Sequence, residues 1–498
     1  MKTITKNILI IFTVFFVISC SEDFIDRKPL GRYTLESYPA GGLSQYVYGM
    51  YSDLRSWQVH VWAYIGISSI TSDDADKGSF DADAKKDIGV FDNFTVGPDN
   101  ALVKDFYTGH YAAINKCNIV LQQAEGYKDK ISEDEYYTAI AEAKFVRGYL
   151  YFNLVRTFGG VPLVDSVLTS TKTYNIPRAS VEQIYQLIES DLLFASQYLP
   201  VAWDSKFIGR PTMNSAKGML AKVYMYEKKW SQALQMCSEV INSGKYQLVP
   251  YDFLFSEKGE NCSESLFEIQ CVFNEEYNDP SYGSQYANVQ GVRGSGEEDL
   301  GWGFNSPSDS LVAAYEPDDP RKAITILDIT QTSRYGETFT TVPANVVNRF
   351  NGKVYTDPSL RKQYKGINNY RFGYWWNIRL LRYADILLLY AEAANELGQT
   401  DAALEKLEMV RNRARNGNSA ILPPVTERDQ NKLREIIRHE RRIELAMEHE
   451  RFWDLVRWGI ADKVLAYKGF TKGKNELMPL PQDEIDKSNG ILTQNPGY

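Results

Sequence analysis

Arg438-His439-Glu440-Arg441-Arg442-Ile443-Glu444-Leu445-Ala446-Met447-Glu448-His449-Glu450-Arg451-Phe452-Trp453-Asp454-Leu455-Val456-Arg457-Trp458-Gly459 is the stretch on which the reading of this chain turns. Ile443, Leu445, Ala446, Phe452, Trp453 and Val456 supply apolar packing. Arg441 with Glu444, Glu448 with Arg451 and Asp454 with Arg457 stand three residues apart, the spacing of ion pairs on one helix face. The run therefore predicts a structural cassette and not a catalytic one. Ile443 stands where a zinc-binding His-Glu-x-x-His motif needs its second imidazole, so a metalloprotease is excluded at the ligand itself. His439 and His449 are then expected on a solvated helix face.

Outward from this cassette, apolar residues recur at helical spacing over long segments. Trp230, Ala233, Leu234, Cys237, Val240 and Ile241 share one face of a helix that ends at Gly244, and a helix from about Asn214 to Tyr226 precedes it after a few residues. The pairing recurs in Asn100 to Ala124 with Glu133 to Phe158, in Val181 to Tyr198 leading to the Asn214 helix, and in Tyr383 to Leu397 with Asp401 to Arg415. Short connections make such helices antiparallel neighbours. Ala216, Gly218, Ala221 and Ala233 put small residues where tetratricopeptide-type helix pairs approach closely, although no strict 34-residue period survives. The expected fold is mainly α: a tetratricopeptide-like helical repeat scaffold, residues 100–245 and 380–458, with inserted loops and short β-strands. Between about 246 and 380 the texture changes to β-prone runs such as Leu266 to Val272 and Phe339 to Val342, separated by Gly, Pro, Asn and Asp.

At the other end, Lys2 and Lys6 precede an apolar run from Ile8 to Val17, and small Ser19 precedes Cys20. The run is about half the roughly 20 apolar residues a membrane span requires. A cleaved signal over 1–19 is the reading that follows. No linker divides 20–498, which is read as one domain whose polar start, 20–32, is a tether. Loss of Lys2 and Lys6 takes the formal charge from −9 to −11, which argues against nucleic acid or anionic lipid as a ligand. Cys117, Cys237, Cys262 and Cys271 are too few for a disulfide scaffold. Cys117 and Cys237 fall on apolar helical faces as buried thiols, and Cys262 with Cys271 leaves room for one bridge.

No nucleophile elbow, phosphate-binding loop or metal-ligand spacing appears. Asp73, Asp74 and Asp76 form the best local carboxylate cluster, which reads either as a solvated turn or as part of a site. Aromatics make up 13% of the chain, with 33 Tyr and 9 Trp. Such rings either stack on sugars or pack interfaces. Three clusters stand out: Trp57, Trp62 and Tyr64, with Trp62 and Tyr64 sharing a face if extended; Tyr282, Trp302 and Phe304 in a Gly-rich stretch; and Tyr374, Trp375 and Trp376, of which Trp375 and Trp376 read as partly buried. The candidate ligand-binding residues are Trp57, Trp62, Tyr64, Asp73, Asp74, Tyr282, Trp302, Phe304 and Tyr374, with no catalytic residue and no metal ligand.

The Arg438–Gly459 run resembles the signature of the SusD/RagB family. Arg382-Tyr383-Ala384-Asp385-Ile386-Leu387-Leu388-Leu389-Tyr390-Ala391-Glu392-Ala393 resembles its repeat helix, and Ala141 to Pro162, with Arg147, Tyr151, Gly159 and Gly160, resembles its early helix and turn. Tyr315-Glu316-Pro317-Asp318-Asp319-Pro320-Arg321 and the ending Gln494-Asn495-Pro496-Gly497-Tyr498 match as well. The resemblance implies an outer-membrane lipoprotein of Bacteroidetes-type bacteria, lipidated at Cys20 and facing outward. It also implies a helical scaffold that captures glycans without chemistry or cofactor and delivers them to a SusC-like TonB-dependent transporter. A peptide-capturing member of the same family is the second expectation, and a glycoside hydrolase acting through Asp73 or Asp74 the third.

Overall fold

The computed structural model describes residues 42–168, 175–272, 283–344, 346–365 and 370–498. Cys20, the expected signal and tether, and Tyr282 lie outside the described residues. The chain divides into two compact units, 1–45 and 46–498, and the helical body is the second. Its long helices are α1 (Ala101–Glu125), α2 (Glu133–Phe158), α3 (Val181–Tyr198), α4 (Met213–Tyr226), α5 (Trp230–Asn242), α6 (Tyr383–Glu396), α7 (Thr400–Arg415), α8 (Gln430–Leu445) and α9 (Arg451–Arg457). The repeat helices begin and end within about two residues of the sequence reading, and side-chain caps mark the starts of α1 to α4 and of α8. Asn100 Oδ1 accepts from the backbone N–H groups of Leu102 and Val103. Ser180 with Gln183, and Thr212 with Ser215, form reciprocal capping boxes that satisfy otherwise orphaned donors.

Successive helices pack on one another from α1 to α5, and α5 then packs on α6 although residues 243–382 intervene. The loop-rich segment is thus an insertion between neighbouring repeat helices. Gly218 on α4 has no room for a side chain, since a Cβ would stand 2.9 to 3.0 Å from Leu381, Ile386 and Leu266. Among the described residues there are three two-stranded antiparallel ribbons, two of them within the insertion and its C-terminal border and the third joining the insertion to the segment before α1. β1 (Ala75–Gly78) pairs with β3 (Phe304–Pro307), β2 (Ser265–Ile269) with β6 (Ile378–Arg382), and β4 (Ile326–Asp328) with β5 (Arg349–Asn351). The strand expected at 339–342 is a loop instead, in which the Thr340 and Thr341 N–H groups donate to the Glu298 carboxylate. Cys117 and Cys237 are buried thiols as expected, whereas Cys262 and Cys271 are both free, so the bridge is absent.

The Arg438–Gly459 cassette spans α8, a break at Ala446–Glu450, and α9. Met447 and His449 in the break have φ of 65° and 67°. That break separates Glu448 from Arg451, and burial does the rest: of the three ion pairs expected within the cassette, Asp454 with Arg457 alone is made, at 2.7 Å. The other charges reach across the fold. Arg441 joins Asp385 on α6 to Asp454, and Asp385 in turn accepts from Lys222 on α4 at 2.8 Å. Glu444 receives Arg321, Arg382 and Arg413, and Glu448 receives Arg382 and Lys353. Burial pushes the Glu444 and Glu448 carboxyls up, yet the surrounding guanidinium and ammonium charges outweigh it and hold both below the usual range, Glu448 at about 2. Arg156 on α2 lays its guanidinium 3.5 Å from the ring of fully buried Trp453 and pairs with Glu450.

His449, expected in solvent, is 4% exposed, and its Nε2 hydrogen-bonds the Tyr286 hydroxyl at 2.7 Å. His60 and His110 are fully buried, their Nδ1–H groups donating to the carbonyls of Leu54 and Phe106. Half-buried His439 is the exception. Burial lowers His60, His110 and His449 from 6.5 to about 3, so all three are neutral in the folded protein at neutral pH.

Two outcomes follow for stability. Arg441→Ala strands Asp385 and Asp454 in the interior and is expected to cost about 3 to 5 kcal/mol in urea unfolding, whereas Arg438→Ala, whose partner Glu435 is largely exposed, should cost under about 0.5 kcal/mol. The depressed histidines make the unfolded chain bind more protons between pH 6.5 and about 3. Stability should therefore fall as pH drops below 6.5, by up to about 1.4 kcal/mol per pH unit for each group, before the acids titrate. Urea midpoints between pH 7 and 5 check this, and His110→Gln should flatten the slope by about one proton.

Candidate functional site

The 57–80 segment leads into β1, and the register Gly78↔Phe304 lays β1 alongside the segment that follows Trp302. Gly78, at φ +72°, is needed at this junction because a Cβ would meet the Gly303 carbonyl at 2.4 Å. The Ser79 N–H donates to that same carbonyl at 2.6 Å. Two aromatic clusters that are about 240 residues apart in the chain are thereby brought together. Trp57 stacks on Trp62 with centroids 5.4 Å apart and planes 21° apart. Trp302 meets Trp57 at 5.9 Å and 65°, and Trp62 at 5.4 Å and 86°. Phe304 closes the cluster from below, 4.7 Å from Trp62.

Exposure sorts these rings. Trp57 and Trp302 are half-buried, whereas Trp62 is 8% and Phe304 3% exposed. The outer pair can face a ligand, and the inner pair forms its floor. Residues 57–65 are two short helical turns, Trp57–His60 and Trp62–Ile65, and not the extended run expected from alternation. At about 100° per residue, side chains two apart on a helix point to opposite sides. Tyr64 consequently turns inward, is 2% exposed, and packs 5.1 Å from the His60 ring, 5.1 Å from His449 and 5.9 Å from Trp453. It supports the platform from within and is not available to a ligand.

Asp73 and Asp74 are corrected in the same way. They are 2% and 1% exposed, and both are held by the C-terminal cassette. Arg451 donates to the two oxygens of Asp73 at 2.8 and 3.0 Å, and Arg442 donates to Asp74 at 2.7 Å. Burial raises the Asp73 carboxyl, but the Arg451 hydrogen bonds and the Arg451 and Arg442 charges more than offset this, so it stays ionised; at Asp74 burial wins and the shift is upward. Neither has an open face toward a substrate, which removes the residues on which a glycosidase reading rested. Tyr374 is 5% exposed, packs on Phe372, and its hydroxyl accepts from Gln285 Nε2 at 3.1 Å, outside the tryptophan cluster. Trp375 and Trp376 are buried, as expected.

Several contributors had no local signal. Exposed Gln58 adjoins Trp57, and its turn fits against α1 because Gly109 lacks a Cβ that would stand 2.4 Å from Gln58 Cβ. Beside Trp302, Arg293 stacks 4.5 Å from the Phe80 ring, pairs with Asp83 at 2.8 Å and reaches the Trp302 carbonyl at 3.5 Å. Lys77 donates to the carbonyls of Phe80, Asp81 and Asp83, stapling the loop on the other side. The result is a rigid aromatic surface edged by amide and guanidinium groups. It suits recognition by stacking and hydrogen bonding.

The chain and its helical scaffold have counterparts among known proteins. A family model described as SusD family matches residues 264–498, and one described as starch-binding associating with outer membrane matches 61–225. The SusD-like protein P2 of Formosa agariphila is 28% identical over 99% of each chain, and a SusD-like protein of Bacteroides ovatus is 27% identical over 93% of this chain and 84% of that one. Among solved structures, a laminarin binding SusD-like protein superposes with a TM-score of 0.78 at 28% identity, over 92% of this chain and 99% of the other. Surface glycan-binding protein A of Bacteroides fluxus does so with a TM-score of 0.76 at 25% identity, over 92% and 99%. With these two family models together covering most of the sequence, and with SusD-like relatives of the same length and solved SusD-like structures that share the helical scaffold, this chain is SusD-like.

Proposed function

We propose that the protein is a cell-surface glycan-binding lipoprotein that captures oligosaccharide or polysaccharide on the Trp57–Trp62–Trp302 platform and delivers it to a SusC-like TonB-dependent transporter. The observation that carries this reading is the tryptophan cluster itself: two half-exposed rings on a buried aromatic floor, brought together by the pairing of β1 with β3. A sugar offers an apolar C–H face to such a ring while its hydroxyls take hydrogen bonds at the rim. Support comes from the family description and from the laminarin-binding relative.

The 65° between Trp57 and Trp302 favours a particular shape of ligand. A chain lying on both rings must turn its sugar faces between contacts. Helical glucans such as laminarin do so, whereas a flat cellulose-like ribbon does not. Processing at Cys20 with residues 20–32 as tether would hold this surface, carried by a single domain from 20 to 498, beside the outer membrane and the transporter mouth.

Calorimetry with laminarihexaose and a cello-oligosaccharide of equal length tests the platform. Trp302→Ala and Trp57→Ala are each expected to weaken laminarihexaose binding by about 2 kcal/mol, roughly 30-fold, with little change in melting temperature. Trp62→Ala should lose both binding and about 3 kcal/mol of stability, because its ring is almost wholly buried. Undiminished binding by the Trp57→Ala/Trp302→Ala double variant would falsify the platform. Tight binding to peptides with none to any glycan would favour the peptide-capturing reading. Cys20→Ala should move the protein from the membrane fraction to the soluble fraction.

A further inference from the structure

We propose that a groove divided by the Ile208–Arg210 ridge is a second carbohydrate site, one that engages a long neutral polysaccharide alongside the tryptophan platform; it rests on the glycan-binding reading above. Two cavities flank the ridge and share Ile208, Gly209 and Arg210 as their common wall. One, of about 210 Å³, opens toward Tyr48 and Gln270, and the other, of about 330 Å³, toward Trp203 and Asn261. Together they reach the size of small-molecule sites.

The walls are built in fixed geometry. The Nε–Nη2 edge of the Arg210 guanidinium is held by Glu142, which is 1% exposed and also accepts from the Tyr51 hydroxyl at 2.6 Å. This leaves the flat face of the guanidinium as the centre of an aromatic stack: Trp203 at 4.0 Å, Phe207 at 5.2 Å and Tyr48 at 5.7 Å. Trp203 is fixed further by its Nε1–H, which donates to the Pro211 carbonyl at 2.8 Å. Beneath the ridge, Gln270 and Asn261 exchange side-chain amide hydrogen bonds of 2.8 and 3.0 Å. Gly209, at φ +95°, sits directly on that pair, since a Cβ there would stand 2.1 Å from the Gln270 amide carbon. On top, Ile208 is 52% and Tyr48 47% exposed, with Trp203 and Phe207 half-buried.

Half-exposed rings beside amides recognise a sugar by its C–H face and its hydroxyls. The charges buried in the walls are paired among themselves, so a neutral sugar needs no counter-charge from them, while the exposed Lys206 and Lys245 stand at the rims. Arg210 is neutralised by Glu142, and Glu268 on the groove wall by Arg379. The groove stands near the primary site along the chain, because Tyr48, Tyr51 and Leu54, which line it, precede Trp57 in one short run. A polymer that spans both places gains avidity, whereas a hexasaccharide is served by the platform alone.

The test compares laminarin with laminarihexaose. Ile208→Arg fills the groove mouth at a position already exposed, so the fold should be untouched; Trp203→Ala removes the stacking wall. For both variants the expected result is unchanged hexasaccharide affinity by calorimetry and a roughly three- to tenfold weaker retention on laminarin in affinity gels. Wild-type retention by Ile208→Arg, while Trp302→Ala loses it, overturns the groove and leaves the platform standing. Failure of the unmodified protein to bind any glycan overturns both.

Discussion

The buried ion network around Arg441, Glu444, Glu448 and Asp454 is the constraint on which the rest of this structure depends. Each of these groups is nearly or wholly withdrawn from water, and, Asp454 with its cassette partners Arg441 and Arg457 apart, each is answered from a distant part of the chain: Arg441 by Asp385, itself paired with Lys222, and Glu444 and Glu448 by Arg321, Lys353, Arg382 and Arg413. Pairs of this kind add little net stability, because desolvation consumes most of the Coulomb gain. Their effect lies in what they forbid. A wrong pairing leaves a buried charge alone at a cost of several kcal/mol, so only one arrangement of α4, α6, α7 and the inserted loops satisfies the whole set.

That constraint passes directly to the tryptophan platform. Arg442 and Arg451 hold Asp74 and Asp73 at the end of the 57–74 segment, while His449 and Trp453 support Tyr64 in its middle. Beyond Asp74 the chain enters β1 and its pairing with β3. The segment is thus tied at its centre and its end before it meets any ligand. Rings held this way lose little freedom on binding, which is how weak stacking contacts become useful affinity.

Much of the scaffold was legible in the sequence because helices announce themselves locally. Apolar spacing, capping residues such as Ser180 with Gln183, and small residues such as Gly218 depend on neighbours within a turn or two. Charge partners carry no such local mark. Arg441 with Glu444, and Glu448 with Arg451, stand at ion-pair spacing, but the first two are buried and claimed by distant groups, and the second two straddle the left-handed break at Met447 and His449. Asp73 and Asp74 misled for the same reason: two adjacent carboxylates look solvated until arginines some 370 positions away are placed over them. The Trp62–Tyr64 alternation failed differently, since a four-residue helical turn is too short for periodicity to reveal.

The site was legible in its parts and illegible in its assembly. Trp57, Trp62 and Trp302 each stand in stretches whose composition invites attention, yet their union rests on one register, Gly78 opposite Phe304. Shifting that pairing by a residue would turn Phe304 from floor to surface. Gly78 and the Arg293–Asp83 pair make the slip costly, because the Gly78–Gly303 contact and that pair join the two segments in the observed register. The angle between Trp57 and Trp302 is therefore a property of backbone pairing more than of side-chain choice. In the proposed binding mode, altering the segment that carries either ring, Gly301–Gly303 or Ser56–Val61, would change the ligand shape accepted while the ion network and the helices beneath remain as they are.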